Sequence, residues 1–335
     1  MLNDSSILVT GGTGSFGQAF IEAVLKKYSP KKVIVYSRDE WKQAEMRNIR
    51  LLQENEQIMR YFIGDIRDKE RIKMAMYGVD YVIHSAALKQ VPALEYNPFE
   101  AIKTNILGTQ NVVEASIGAN VKNVIALSTD KAAAPINLYG ATKLAADKLV
   151  IAGNNIVGRH QTKFSVVRYG NVFGSRGSVA PLFKSLKESG QIPITDPRMT
   201  RFSITLDQGI EFVLACLRKM MGGELFVPKI PSFRILDLAE AIAPDAEITF
   251  KGIRPGEKLH EEMITKTDAM TTIEHSDHFI VLPSLTSEEN NIKKILDSNN
   301  SQEYRKCEEQ FYYSSDTNPV FLDVPRLREL VKSCL

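Results

Sequence analysis

Ile7-Leu-Val-Thr10-Gly-Gly-Thr-Gly-Ser-Phe-Gly17 carries a short apolar run straight into a glycine-rich loop. The run reads as a buried strand, and Phe16 to Lys27 reads as the helix that follows it. The loop satisfies Gly12-x-Gly14-x-x-Gly17 and also Gly11-x-x-Gly14-x-x-Gly17. Glycine permits a tight turn and lets a pyrophosphate approach backbone N–H groups. The helix N-terminus adds a favourable dipole for that anion. A glycine motif alone is weak evidence, but here strand, loop and helix occur in the required order. Gly11, Thr13, Gly14, Ser15, Phe16 and Gly17 are therefore candidates to line a dinucleotide.

The alternation continues outward from this loop. Lys32–Tyr36, Arg60–Ile63, Tyr81–His84, Asn123–Leu127 and Phe164–Arg168 read as further strands, with a helix predicted over 40–54. Apolar strands separated by helical patterns predict an α/β fold: a Rossmann-type, doubly wound parallel sheet. Such sheets bind ligands at the carboxyl ends of their strands. Near Gly170 the texture changes, and Pro193, Pro197, Pro228, Pro231 and Pro255 interrupt the pattern. The expectation is a cofactor domain over 1–170, carrying catalytic residues, and a smaller C-terminal α/β substrate domain over 171–335 that shares some elements with it. The stretch from Ser287 is polar, with Asn290-Asn291 and Asn299-Asn300, before apolar character returns at Phe321–Val324 and Leu327–Leu335.

Composition narrows the function classes. A formal net charge of +2 makes no broad electrostatic case for nucleic acid or membrane partners. The start of the chain lacks a basic region followed by an apolar stretch, and no segment reads as a bilayer span. Cys216, Cys307 and Cys334 are few and scattered, which argues for a reducing compartment. A cytoplasmic enzyme is expected. His275-x-x-His278 lacks further ligands at suitable spacing, and His260-Glu261-Glu262 does not match a zinc-protease helix, so no metal is expected. Trp41, the only tryptophan, reads as a packing residue.

The end of the second strand bears on cofactor choice. NAD readers place a carboxylate there for the ribose 2′-hydroxyl. This chain has Tyr36-Ser37-Arg38-Asp39-Glu40, with Ser37 at the acid's position and Arg38 after it. An arginine suits a 2′-phosphate, and Lys42 can assist, so NADP is favoured. Asp39 leaves NAD as the alternative. After the third strand Asp65 could face the adenine amino group, with Ile66 beside it, or Asp65 could cap the next helix. After the fourth, small Ala86 and Ala87 would let the cofactor pass near the backbone, while Lys89 could reach cofactor or substrate or remain solvated.

Ser128-Thr129-Asp130-Lys131, followed by Tyr139-Gly-Ala-Thr-Lys143, holds the densest chemistry. Residues four apart on a helix share a face, and a lysine beside a tyrosine favours the phenolate. A phenolate can take a hydroxyl proton as hydride leaves the same carbon. Asp130-Lys131 adds an acid and a possible second base. That equipment exceeds what alcohol oxidation needs and points to elimination. Ser128 reads as a structural residue at the strand end.

With these segments the chain resembles the extended short-chain dehydrogenase/reductases that act on nucleotide sugars, and within them the inverting UDP-N-acetylglucosamine 4,6-dehydratases. Further matching segments are Glu95-Tyr-Asn-Pro98, Arg168-Tyr-Gly-Asn-Val172, Gly174-Ser-Arg-Gly-Ser178, Pro193-Ile-Thr-Asp196, Met199-Thr-Arg-Phe202 and Gly252-Ile-Arg-Pro-Gly-Glu-Lys-Leu-His-Glu261. Retaining relatives carry Asp-Glu where this chain has Asp130-Lys131; inverting ones carry Asp-Lys. The resemblance implies catalytic roles for Thr129, Asp130, Lys131, Tyr139 and Lys143, with Lys131 as the C5 base if its site lowers its pKa, and Asp130 as the acid. It implies cofactor contacts near Asn105, and substrate contacts from Lys89, Thr129, Asn171, Arg201, Arg254 and Glu257, with Arg176 ordering over the ligand. UDP-N-acetylglucosamine is the implied substrate, in a homo-oligomer (dimer or hexamer) feeding pseudaminic acid or a related surface glycan. The rivals are a UDP-sugar epimerase and a catalytically silent NADP-binding sensor.

Overall fold

The computed structural model describes residues 1–175, 177–283 and 304–335. Arg176 and the polar stretch from Ser287 through Asn300 lie outside the described residues. The chain forms two compact units. The first holds Met1–Ser128, Ala141–Val167 and Ile210–Phe226; the second holds Thr129–Gly140, Arg168–Gly209 and Val227–Leu335. The units are interleaved in sequence rather than consecutive.

The first unit is built on β1 (Ser6–Thr10), β2 (Lys32–Ser37), β3 (Met59–Ile63), β4 (Tyr81–His84), β5 (Asn123–Thr129), β6 (Lys163–Tyr169) and β7 (Leu225–Pro228), in the order β7-β6-β5-β4-β1-β2-β3. The pairs β1–β2, β2–β3, β1–β4, β4–β5 and β6–β7 run parallel. Every residue of β1 is buried. Successive strand residues point to opposite faces, so unbroken burial means that both faces of β1 are covered. The order steps from β1 to β2 on one side and from β1 to β4 on the other. That reversal is the switch point at which open α/β sheets bind ligands, and it lies at the β1 loop.

Helix α1 (Ser15–Lys27) buries Gly17, Phe20, Ile21 and Val24 and ends on Lys26 and Lys27, which suit the negative end of its dipole. The helix expected over 40–54 is instead two pieces, α2 (Glu40–Arg47) and a short turn of helix over Arg50–Glu54. Asn48 closes the first by donating its N–H to Glu45 and Met46, and Ile49 is extended, with φ −73° and ψ 121°. An asparagine and a β-branched residue in succession make a weak place to propagate a helix. Long helix α3 (Leu138–Ile156) carries both Tyr139 and Lys143.

The second unit has an antiparallel set, Thr272–Glu274 between His278–Val281 and Arg305–Lys306, and several small sheets. Asn171–Val172 pairs parallel with Thr200–Ile204, which pairs antiparallel with Ser232–Arg234. Gln191–Ile194 pairs parallel with Glu247–Phe250, and Glu262–Ile264 pairs antiparallel with Tyr313–Ser314. Phe183, Ile192, Ile194, Phe233, Leu238 and Leu327 form its core.

Candidate active site

In the first unit the β1–α1 loop is shaped by backbone crowding. Gly11 has φ +66°, and a Cβ there would stand 3.0 Å from the Ala86 backbone. At Gly17 a Cβ would stand 2.6 Å from the Gly11 oxygen and the Gly12 Cα. These glycines bring loop, helix and the segment after β4 into contact. The N-cap of α1, Gly14, offers no side-chain cap, and the first turn carries no acid. The start of α1 is thus without a built-in anion, which fits a pyrophosphate. Ser37 joins its hydroxyl to Thr13 at 2.7 Å, tying the end of β2 to the loop.

The residues after β2 divide their tasks. Asp39 caps α2 through the Lys42 N–H at 3.0 Å and pairs with the Lys42 amine at 3.0 Å. Its carboxyl is held below the usual range, first by that N–H and then by the amine. Arg38 is half-exposed and contacts Asp65 at 3.5 Å. Asp39 is thus engaged at the start of α2, and Arg38 stands exposed beside it. Asp65 does not cap the next helix; Asp68 does, accepting from the Arg71 N–H. Asp65 instead holds Arg67 in a close two-contact pair at 2.9 and 2.6 Å. Ile66 is buried. Trp41, expected to pack, is 73 % exposed.

Asn105 sits in a π-helical turn, Ile102–Leu107, and spends its amide on the segment after β4. It accepts from Leu88 N at 2.8 Å and donates to Leu88 O at 2.9 Å and to Thr142 at 3.0 Å. It therefore positions the Ala86–Lys89 segment, where Ala87 and Lys89 are exposed. His84 is fully buried between Thr10 at 2.7 Å and Thr109 at 3.0 Å. Thr109 gives its own proton to Asn105 O, so His84 must donate from Nε2 and accept at Nδ1. Burial, and then the Lys143 charge, lower its pKa to about 3, keeping it neutral. Lys143 is buried and donates to Leu127 O at 2.8 Å. Burial lowers its pKa, against the opposing charge of Asp147. Asp147 accepts from Ser128 at 2.7 Å, so Ser128 has the structural task expected of it.

In the second unit Thr129, Asp130 and Lys131 form one cluster. Thr129 donates to Asp130 Oδ1 at 2.9 Å, and the Lys131 amine reaches the same oxygen at 3.0 Å. Asp130 Oδ2 is buried with no hydrogen-bond partner among the described residues. Lys131 also pairs with Glu261 at 3.3 Å. Burial disfavours the Lys131 charge, but Asp130 and Glu261 outweigh it, against Arg201, and raise the pKa above the ordinary lysine value. The low pKa expected for a lysine base is therefore not met here. Two carboxylates at contact distance stabilise the ammonium more than desolvation destabilises it. Tyr139 lies at the start of α3, one helical turn before Lys143.

The Thr129–Gly140 segment is fastened to residues 256–261 inside this unit. Asn137 donates to Gly256 O at 2.8 Å, and Lys258 to Ala133 O at 2.7 Å. Arg201, expected to bind phosphate, directs its terminal nitrogens to the carbonyls of Thr200, Leu259 and Lys258. A guanidinium so engaged serves as a clamp. Arg254, by contrast, is exposed and pairs with Glu257 at 3.7 Å. Asn171 has a buried Oδ1 with no partner among the described residues. Glu261 was not among the expected residues; its one sequence signal was its place at the end of the Gly252–Glu261 motif. His275, Asp277 and His278 lie together, with their ring nitrogens and carboxylate within 4.8 Å of one another. The Asp277 carboxylate is shared by both rings as an acceptor.

A family model described as polysaccharide biosynthesis protein matches residues 7–283. The chain is 52 % identical over 340 residues to an inverting UDP-N-acetylglucosamine 4,6-dehydratase of Campylobacter jejuni, covering 99 % of this chain and 98 % of the relative. It is 42 % identical over 287 residues to a UDP-glucose 4-epimerase of Rickettsia rickettsii, covering 83 % of each. The solved structure of Pen from Bacillus thuringiensis is similar throughout, with a TM-score of 0.88, 37 % identity and full coverage of both chains. No described helix is long and apolar enough to cross a membrane.

Proposed function

The chain belongs to the polysaccharide biosynthesis protein family, and from that premise we propose that it is a UDP-N-acetylglucosamine 4,6-dehydratase that inverts C5. The observation that carries this reading is the Asp130–Lys131 pair, a buried carboxyl beside a charged amine, next to the Thr129 hydroxyl. Oxidation or epimerisation at C4 has no use for a second acid–base pair; loss of water does. The relative at 52 % identity carries the same activity in its name.

The glycine loop and the start of α1 hold the nicotinamide dinucleotide, with Arg38 and Lys42 reading the 2′-phosphate of NADP. When bound, that group would supply a hydride acceptor for C4 and a hydride donor for C6. Tyr139 takes the O4 proton, and Lys143, one turn along the same helix, favours the phenolate. The 4-ketone acidifies the C5 hydrogen. Because the Lys131 amine is held protonated, it serves as the acid that protonates the departing C6 hydroxyl, and Asp130 takes the C5 proton. This reverses the roles expected from sequence. A solvent proton reaches C5 on the opposite face, Tyr139 returns its proton to solvent, and Asp130 passes the C5 proton to the Lys131 amine it touches, restoring the site. The product is the substrate less one water, with no net redox change. Asn171, Arg254 and Glu257 are the residues assigned to the UDP group, and the product would feed a surface glycan.

The epimerase reading is favoured by one observation, the 42 % identical relative of that name. NMR of the purified protein with UDP-N-acetylglucosamine in deuterium oxide, without added cofactor, separates the two. The dehydratase gives a new 6-methyl signal, collapsed by deuterium at C5, with the C5 configuration inverted. A product of unchanged mass would establish the epimerase instead. No conversion with added NADP⁺ and several UDP-sugars would leave a nucleotide-binding protein.

A further inference from the structure

We propose that Glu261 is a positioning residue for the dehydration step, sharing the Lys131 amine with Asp130 and so fixing where that amine holds its proton. The inference rests on the dehydratase reading for its role in turnover, and on the geometry of the second unit for the contact itself. Glu261 is 3 % exposed. Its Oε1 lies 3.3 Å from the Lys131 amine, and its Oε2 is buried with no hydrogen-bond partner among the described residues. A buried carboxylate is costly unless it is paired. The guanidinium of Arg201 does not discharge that cost alone. Its Nε is 3.8 Å away, while its terminal nitrogens go to backbone carbonyls. Lys131 is the nearer cation.

The support beneath Glu261 is rigid. Its N–H donates to the Ser315 hydroxyl at 2.9 Å, and Ser315 N donates back to its carbonyl at 2.8 Å. Ser315 is fully buried and joins Thr200 at 2.7 Å. A carboxylate pinned through its own backbone can set the position of a flexible amine, whereas a mobile one would follow it. The charged groups facing Lys131 are Asp130, Glu261 and Arg201. Neutralising Glu261 removes one attractive charge and leaves Arg201 less balanced. Both changes lower the Lys131 pKa.

The test compares wild type, Glu261→Gln and Glu261→Asp. The Lys131 amine is titrated by NMR of lysine labelled at Cε, assigned by its absence in Lys131→Met. Dehydration of UDP-N-acetylglucosamine is followed across pH on the same samples. In Glu261→Gln the amine midpoint should fall by about one to three pH units, the range expected for losing a close opposite charge. The alkaline limb of kcat should fall with it, with kcat reduced roughly ten- to a hundredfold and KM changed little. Glu261→Asp keeps the charge and should restore part of both. A folded Glu261→Gln whose amine and alkaline limb do not move overturns the proposal. So does a Glu261→Asp that behaves like Glu261→Gln while remaining as stable as wild type. If wild type itself makes no 4-keto-6-deoxy product, the dehydratase reading fails and takes the role in turnover with it. The amine titration still reports separately whether Glu261 holds Lys131.

Discussion

At the scale of single residues, the decisive quantity is the proton on Lys131. An exposed Asp–Lys neighbour pair would contribute little, but Asp130 is fully buried and Glu261 nearly so, and both press charge on one amine. Lys131→Met should therefore stop the reaction after C4 oxidation. Product formation should fall about 10²- to 10⁴-fold, the usual worth of a positioned acid. Reduced nicotinamide should accumulate in a single turnover, read by its absorbance. Dehydration at the wild-type rate would remove Lys131 from the chemistry. Circular dichroism must accompany the assay, because the substitution leaves two buried carboxylates without their cation. Arg38 is the second residue with a separable task. Its neighbour Asp39 is spent on the α2 cap, so Arg38→Ser should raise KM for NADP⁺ roughly 10- to 100-fold, the loss expected for a charge-assisted contact, and leave NAD⁺ almost unaffected. Equal effects on both cofactors would take Arg38 off the 2′-phosphate.

At the scale of elements, the first turn of α1 is the most constrained piece of the chain. A Cβ at Gly17 meets backbone atoms at 2.6 Å, and backbone has nowhere to rotate. Gly17→Ala should push α1 away from its loop, destabilise the protein by about 1–3 kcal/mol and weaken dinucleotide binding at least tenfold. Thermal unfolding and cofactor titration measure the two effects. Gly118 is the control: it lies in the last turn of a helix, and a Cβ there meets nothing within 4 Å. Gly118→Ala should leave binding alone and stabilise by about 0.4–1 kcal/mol, through the unfolded chain. If the two substitutions had the same effect, close packing would not be the reason for glycine at position 17. The contrast also shows what a motif conveys. Spacing alone marks Gly17 as special, but only the crossing of helix and loop shows which atoms exclude a side chain.

At the scale of the whole molecule, sequence and structure agree where burial dictates pattern and part where side chains compete. The strand runs of the first unit were legible because strands covered on both faces are apolar along their middle, as Ile7-Leu-Val9 is between Ser6 and Thr10. Thr129, Asp130 and Lys131 were legible as a cluster because they are consecutive. Glu261 was not, because it lies 130 positions from Lys131 and comes beside it only through the small sheets of the second unit. The proton on Lys131 was misjudged because Asp130, though in view, was weighed as an acid rather than as a charge on the amine, and because Glu261 was out of view. His84 was read only as the end of a strand, yet its burial as a neutral ring makes the fold sensitive to acid. Its folded pKa is about 3 and its unfolded value about 6.5. Between those values the unfolded chain binds the extra proton, so stability is complete above pH 6.5 and is lost as pH falls towards 3. Each unit of the interval is worth about 1.4 kcal/mol, so two units of acidification below 6.5 should cost on the order of 2–3 kcal/mol at this residue. Urea unfolding of wild type and His84→Gln at pH 7 and pH 4.5 isolates that share from the carboxylates, which titrate in both proteins. The glutamine can still bond Thr10 and Thr109 but cannot take up the proton, so its stability should fall less over the same interval. Equal losses in the two proteins would show that the buried ring does not carry the acid sensitivity of the fold.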